Sequence, residues 1–148
     1  MDKRLRYISK INRNYELYKR KQTKDNTLNS TDSLALHLIC KEPGLSQDTL
    51  AELLGVDKGL VTKTVKYLEE LSLIKRIKNP KDKRENMVYP TAEAEELKHL
   101  LIDTERAYYM ELFKEFTEEE YEIFLTLLSK IYVKSKQLRK GENHEKLS

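Results

Sequence analysis

Residues 46–91 read SQDTLAELLGVDKGLVTKTVKYLEELSLIKRIKNPKDKRENMVYPT, and the order of parts within them decides the fold. Ser46 suits the N-cap of a short helix running to about Leu54, because its hydroxyl can accept an orphan backbone N–H. Gly55 supplies a turn, where a positive φ costs little. Asp57 caps a second helix over about 58–71. Its apolar positions Val61, Val65 and Leu68 share one face, with Leu71 one turn on, while Lys58, Thr62, Lys63 and Lys66 fall on another. Leu73-Ile74 opens a strand whose alternation continues through Ile77, and Met87, Val88 and Tyr89 form the return strand. The loop 78–86 between them is crowded with Lys, Asp and Arg, and Asn79-Pro80 favours a turn at its start.

Helix, Gly-containing turn, helix and a basic two-stranded ribbon make the order of parts of a winged helix-turn-helix. One helix can enter a DNA major groove while the loop reaches the neighbouring minor groove. The fold expected is mainly α with a small β-wing.

The flanks are helical. Residues 5–22 set Leu5, Ile8, Ile11, Tyr15 and Tyr18 in a narrow apolar stripe among basic residues, and 23–30 form a polar loop. Residues 31–41 hold Leu34, Leu36, Leu38 and Ile39 in a short buried helix that stops before Pro43-Gly44. Thr91 opens a long amphipathic helix to about Glu115, with Leu97, Leu100, Leu101, Tyr108 and Leu112 as its apolar positions. Thr117 to Glu120 form a capping box for a last helix carrying Tyr121, Phe124, Leu125, Leu128, Ile131 and Tyr132. The terminal helices cannot both bury their stripes on so small a core, and a second copy of the chain is the economical cover. The division expected is residues 1–30 and 91–138 as a helical dimerisation region, 31–90 as the DNA-binding module, and 139–148 as a flexible tail.

Bulk properties agree with one compact domain carrying long helical extensions in 148 residues. No apolar run approaches the roughly 18 residues that a membrane span needs, and the charged start MDKRLRYISKINRNYELYKR is unlike a signal peptide. The single Cys, Cys40, excludes an intrachain disulfide framework and fits a reducing cytoplasm. Four glycines leave no Gly-rich phosphate loop. Charged residues make up 36%, polar for a monomer of this size but ordinary for a chain that buries more surface on dimerising. The net charge of +3 hides an asymmetry: residues 1–24 carry nine Lys/Arg against two Asp/Glu, 57–90 nine against five, and 91–125 three against eleven. A basic footprint set apart from an acidic body suits an oriented polyanion such as DNA.

From about residue 31 to 138 the chain resembles a MarR-family transcriptional regulator. Two motifs carry the resemblance: Ala51, Gly55 and Val61 at the spacing A-x3-G-x5-V, and the wing NPKDKRENMVYPT beside the family's D-P-x-D-x-R-x-x-x-V-x-L-T, followed at once by a long helix. Three positions depart. Asn79 stands for the first wing Asp and Pro90 for the Leu before the Thr, which should alter wing geometry slightly. Ser72 stands where Gly usually precedes the Leu-Ile strand and must adopt a conformation Gly takes more cheaply, at a cost of about 1 kcal/mol.

The resemblance implies a homodimer on double-stranded DNA, a palindromic operator with half-sites about one turn apart, and repression relieved by a small aromatic or anionic effector. Helix 58–71 would lie in the major groove with Lys58 and Gly59 at its N-terminal end. Thr62 and Lys63 would address base edges and Lys66 a phosphate. Arg84 matches the family's minor-groove Arg, Asp82 the acid that orients its guanidinium, and Lys81 and Lys83 would add phosphate contacts. Ser46, Gln47 and Thr49 are further candidate phosphate ligands. An effector pocket could draw on Tyr7, Tyr15, Tyr18, His37 and Tyr108. The family also implies a bacterial or archaeal cytoplasm, at the nucleoid.

Other chemistries find little support. His37 and Cys40 stand three apart on one helix, a chelating spacing, but only His99 and His144 remain as further imidazoles. No metal and no cofactor are expected. Cys40 follows Leu38-Ile39 in an apolar helix, where a thiol is usually inert. No Ser-His-Asp arrangement or G-x-S-x-G motif suggests an enzyme. The competing class is a winged-helix protein-interaction module without specific DNA binding. Retention of Lys58, Lys63, Lys66, Lys81, Lys83 and Arg84 argues against it.

Overall fold

The computed structural model describes residues 1–23 and 28–139. The middle of the expected 23–30 loop and almost all of the expected tail, with His144, lie outside the described residues. A short 3-10 turn (Lys3–Arg6) leads into α1 (Tyr7–Gln22) and α2 (Ser30–Lys41). There follow β1 (Leu45–Ser46), α3 (Gln47–Leu54), α4 (Lys58–Glu70), β2 (Ile74–Lys78), β3 (Asn86–Pro90), α5 (Ala92–Leu112) and α6 (Glu118–Arg139). This is the mainly helical winged helix-turn-helix that the sequence predicts, with one addition. The sheet has three strands, ordered β1-β3-β2 and antiparallel throughout. β1 pairs Leu45 with Val88 and Ser46 with Met87, so the return strand of the wing is the central strand.

Turn and cap chemistry account for the boundaries. Ser46 Oγ accepts from the Thr49 N–H at 3.0 Å and Asp57 Oδ1 from the Leu60 N–H at 2.9 Å, starting α3 and α4 as expected. Gly55 closes α3 in the left-handed region, with φ 65°. Ser72 is also left-handed, with φ 59°, the strained conformation foreseen for it. An Asn29–Asp32 capping box, which the sequence reading did not identify, opens α2 one residue early.

By internal contacts the chain divides into two compact units, Met1–Tyr108 and a second from Tyr109 onward, not at the ends of the winged module. The reason lies in α5. Ala94 and Leu101 belong to the same buried cluster as Leu36, Ile39, Leu50, Val65, Leu68, Ile74 and Val88, and Leu97 packs against it. The first four turns of α5 are therefore part of the core of the winged unit. Thr104 continues their buried face, whereas Leu100, placed on that stripe from sequence, is exposed.

Two other apolar expectations are corrected. On α2 the inward face is Ala35, Leu36, Ile39 and Cys40, and Leu34 points to solvent. Leu71 does not extend the buried face of α4. The helix stops at Glu70, and Leu71 is 41% exposed.

Lys19 departs furthest from expectation. Within the basic run of α1 it is only 1% exposed. Its ammonium meets Glu16 Oε2 at 2.8 Å and lies 5.7 Å from the centre of the Tyr15 ring. Glu16 also accepts from Ser30 Oγ at 2.7 Å, which ties α1 to the start of α2. Burial alone would raise the Glu16 carboxyl. Hydrogen bonds from Lys19 and Ser30 outweigh it and hold the group below its ordinary value.

In the second unit, Phe113 stacks within 5.1 to 5.2 Å of Phe116, Tyr121 and Phe124. The capping box is formed, with Glu120 N–H donating to Thr117 Oγ1 at 3.2 Å and Thr117 N–H to Glu120 Oε2 at 2.9 Å. Ile123, Leu127, Leu128, Ile131, Tyr132 and Val133 of α6 are exposed in the single chain, as are Leu5, Ile8 and Ile11 at the other end of the sequence.

Candidate nucleic-acid interface

α4 separates two chemistries by helical periodicity. Val61, Thr64, Val65 and Leu68 are buried, while Lys58, Gly59, Thr62, Lys63 and Lys66 are all exposed. The cations on the outer face are not equivalent. Lys58 Nζ lies 2.9 Å from Asp48 Oδ2 on α3, and Lys66 reaches Glu70 at 3.8 Å. Among the described residues Lys63 makes no ion pair. Thr62 donates its hydroxyl proton to the Lys58 carbonyl at 2.9 Å. It can then offer a partner only a methyl group and acceptor lone pairs. Gly59 has a local role besides close approach. A Cβ there would stand 3.0 Å from the Asp57 carboxylate that caps the helix.

The start of α3 holds the other expected phosphate ligands, and here the structure corrects one. Ser46 is buried, and its hydroxyl both caps α3 and donates to Thr49 Oγ1 at 3.0 Å, leaving nothing for a phosphate. Thr49 is exposed and Gln47 half-buried. Gln47 Oε1 accepts from Asn86 Nδ2 at 3.2 Å, so its own NH2 group remains a donor.

The wing loop is closed by its own polar groups. Asn79 N–H donates to the Glu85 carbonyl at 3.0 Å, and Asn79 Nδ2 to Glu85 Oε2 at 2.7 Å. Asn79 Oδ1 accepts from the Lys81 N–H at 2.9 Å. Asn in place of the family's Asp therefore has a reason, since only an amide can both accept from Lys81 and donate to Glu85. Asp82 also behaves differently from expectation. Its Oδ1 accepts the backbone N–H of Arg84 at 3.0 Å, and no ion pair joins it to the guanidinium. The acid shapes the backbone on which Arg84 stands. Lys81, Lys83 and Arg84 are exposed and, among the described residues, form no ion pair.

The wing root is held on two sides. Arg76 of β2 donates through Nε to Glu69 of α4 at 2.8 Å and through a second nitrogen to the same oxygen. Arg76 holds the Glu69 carboxyl below its ordinary value, and the guanidinium is raised in return. Asn86 of β3 reaches Gln47 at the start of α3. The wing is thus fixed to both helices of the helix-turn-helix.

Of the residues suggested for an effector pocket, the structure gathers three. Tyr108 lies 5.3 Å from Tyr15 and 5.1 Å from Tyr18, ring centre to ring centre, next to the Lys19–Glu16 pair. Tyr7 and His37 are exposed. Lys19 and Glu16 are the charged members of the tyrosine group. Sequence reading missed them because a Lys in a basic run looks solvated. The i, i+3 spacing of Glu16 and Lys19 was the available signal. Burial pushes the Cys40 thiol up to about 11, and the neighbouring Glu95 adds to the rise, which describes an unreactive thiol. No helix is long and apolar enough to cross a membrane among the described residues.

Comparison with known proteins follows the same division. A sequence model of the MarR family matches residues 26–85, the segment containing the helix-turn-helix and most of the wing. The HTH-type transcriptional regulator YybA of Bacillus subtilis (strain 168) is 28% identical over 86% of this chain and 85% of its own length. A transcriptional regulatory protein for the hcr operon of Thauera aromatica is 41% identical over 56 residues, 38% of this chain, which spans only 34% of that relative. A MarR-family protein of Listeria monocytogenes, solved with a 26mer DNA, shares the fold with a TM-score of 0.74 at 24% identity, covering 100% of both chains. Family-model match over residues 26–85, a relative similar over most of its length, and the shared fold point the same way: the chain is similar to the MarR family of winged helix-turn-helix transcriptional regulators.

Proposed function

We propose that this protein is a homodimeric repressor that binds a palindromic operator and leaves it when a small aromatic or anionic effector binds. The observation that carries the reading is the pairing of an exposed cationic α4 face with a basic wing fixed to the same two helices. In this reading α4 enters the major groove. Lys58, Gly59, Thr62 and Lys63 meet it first, with Lys66 on a phosphate. Thr62, its proton spent on Lys58, accepts from a base amino group or touches a thymine methyl. Gln47 and Thr49 take backbone phosphates, Arg84 enters the minor groove, and Lys81 and Lys83 flank it. Asp82 shapes the loop that presents Arg84. The Listeria monocytogenes protein solved with DNA has this fold, which supports the reading.

Homodimerisation is supported by the exposed apolar residues of α1 and, separately, of α6, which a second copy would cover. The tyrosine group supports an effector that carries an aromatic ring. The setting is the bacterial or archaeal cytoplasm.

The test is a fluorescence anisotropy titration against DNA upstream of the protein's own gene, at several salt concentrations and with scrambled competitor. Saturable, competitor-resistant binding that weakens steeply with salt is expected, with loss on Arg84→Ala. Sedimentation of the free protein should give a dimer. Equal binding to every sequence would favour the protein-interaction module instead.

A further inference from the structure

The exposed cations of the DNA face fall into two groups, and the difference is informative. Lys63, Lys81, Lys83 and Arg84 make no ion pair among the described residues, whereas Lys58, the first residue of α4, is paired with Asp48 across the helix-turn-helix at 2.9 Å. Asp48 stands between Gln47 and Thr49, the two side chains at the start of α3 placed on phosphates in the DNA-binding reading. A carboxylate there opposes every duplex, because the phosphate lattice is common to all sequences. The pair is also exchangeable, since its side chains are 75% and 60% exposed and water screens their attraction.

We propose that Asp48 is a specificity-determining residue, which withholds the Lys58 ammonium from the phosphates of duplexes lacking the preferred sequence. The inference rests on the DNA-binding reading. On arbitrary DNA, a Lys58–phosphate contact must replace the Lys58–Asp48 contact, so little is gained. On the preferred sequence Lys58 meets an acceptor on a base edge, such as guanine O6 or N7, with one ammonium proton while a second stays on Asp48. Asp48 thus lowers affinity for DNA in general and raises the ratio between the preferred sequence and the rest, which is the quantity that matters against a genome of competing sites.

The experiment measures anisotropy on two duplexes, one of random sequence and one selected from a random library by the wild-type protein, over a salt series. The variants are Asp48→Asn, Lys58→Met and the double variant. Asp48→Asn is expected to bind the random duplex about fivefold tighter and to steepen the log K against log[salt] slope by about 0.9 per module, one more phosphate neutralised. The preference for the selected duplex should fall. Lys58→Met alone should leave the random-duplex slope unchanged while weakening the selected duplex. In the Lys58→Met background, Asp48→Asn should leave the slope unchanged and give only the smaller gain that comes from removing the carboxylate's own repulsion. The proposal is overturned if Asp48→Asn leaves the random-duplex slope unaltered, or if its full gain persists without Lys58, which would make Asp48 only a general repulsive charge. Wild-type protein that binds neither duplex at low salt would overturn the DNA-binding reading itself, a failure visible before any variant is made.

Discussion

The Thr91 hydroxyl donates to the Ser72 carbonyl at 2.8 Å, so the residue that opens α5 holds the left-handed residue in the turn after α4. The same oxygen lies 3.0 Å from the Leu73 carbonyl and accepts from the Ala94 N–H at 3.3 Å, and Thr91 N–H donates to Leu73 O at 3.0 Å. One side chain therefore joins the turn that follows α4, the residue that precedes β2 and the start of α5. Ser72 keeps its strained backbone because its surroundings over-determine it. Ser72→Gly should raise unfolding stability by about 0.5–1 kcal/mol, and Thr91→Val should lower it by about 1–2 kcal/mol. Urea denaturation of each variant, with unchanged m-value, checks both signs.

The wing loop depends on an amide at position 79. Asn79→Asp would set a carboxylate against Glu85 Oε2, where the amide now donates at 2.7 Å. The loop should open, and DNA affinity should fall about threefold to tenfold although no cation has been removed. Because the number of phosphate contacts is nearly kept, the salt slope should change little, in contrast with Arg84→Ala, which should lower it by about one. Anisotropy at several salt concentrations separates the two effects.

Glu16→Gln leaves the Lys19 ammonium buried with its anion gone. The expected loss is about 3 kcal/mol, the usual result of breaking a buried pair from one side. Because the Glu16 carboxyl titrates below its ordinary 4.5 in the folded protein, its contribution is present above that pH and is lost as the pH falls through the folded value. The acid limb of wild-type stability should therefore be steeper than that of Glu16→Gln. Lys19→Met, which removes the charge and keeps the volume, should be the milder change.

Cys40 gives the opposite limb. Its folded pKa of about 11 lies above the ordinary 9.0, so the folded state holds a proton that the unfolded state releases first. The contribution is complete below pH 9.0, and stability declines from there towards about 11. Cys40→Ala should flatten that decline. A thiol reagent at neutral pH should label native protein at the rate of global or local opening, far slower than denatured protein.

Much of this was legible because turn and cap chemistry is local. Ser46, Gly55, Asp57 and Thr117 each do what their residue type and position predict. The wing loop and the segregated faces of α4 were legible for the same reason. What escaped was non-local. β1 is two residues long and has no period to show, existing only because β3 offers a free edge. The burial of Lys19 depends on Tyr15, Glu16 and whatever covers them, not on its basic neighbours. Ser46 looked like a phosphate ligand because a hydroxyl that caps a helix and a hydroxyl that binds an anion have the same sequence signature. The part of Asp82 could be inherited from the family pattern, but its partner atom, a backbone N–H, could not.

The central position of β3 sets how the two reading heads would move. β3 is bonded to β1 on one edge and β2 on the other, while Asn86 at its first residue is latched to Gln47. Wing and recognition helix then behave as two prongs of one rigid fork. In the proposed DNA-binding reading, such a fork would tolerate changes of letter within a half-site more readily than changes of phase. An inserted base pair between the two readings would have to be absorbed by twisting or bending the duplex, so sequences soft at that point would be the ones that forgive it.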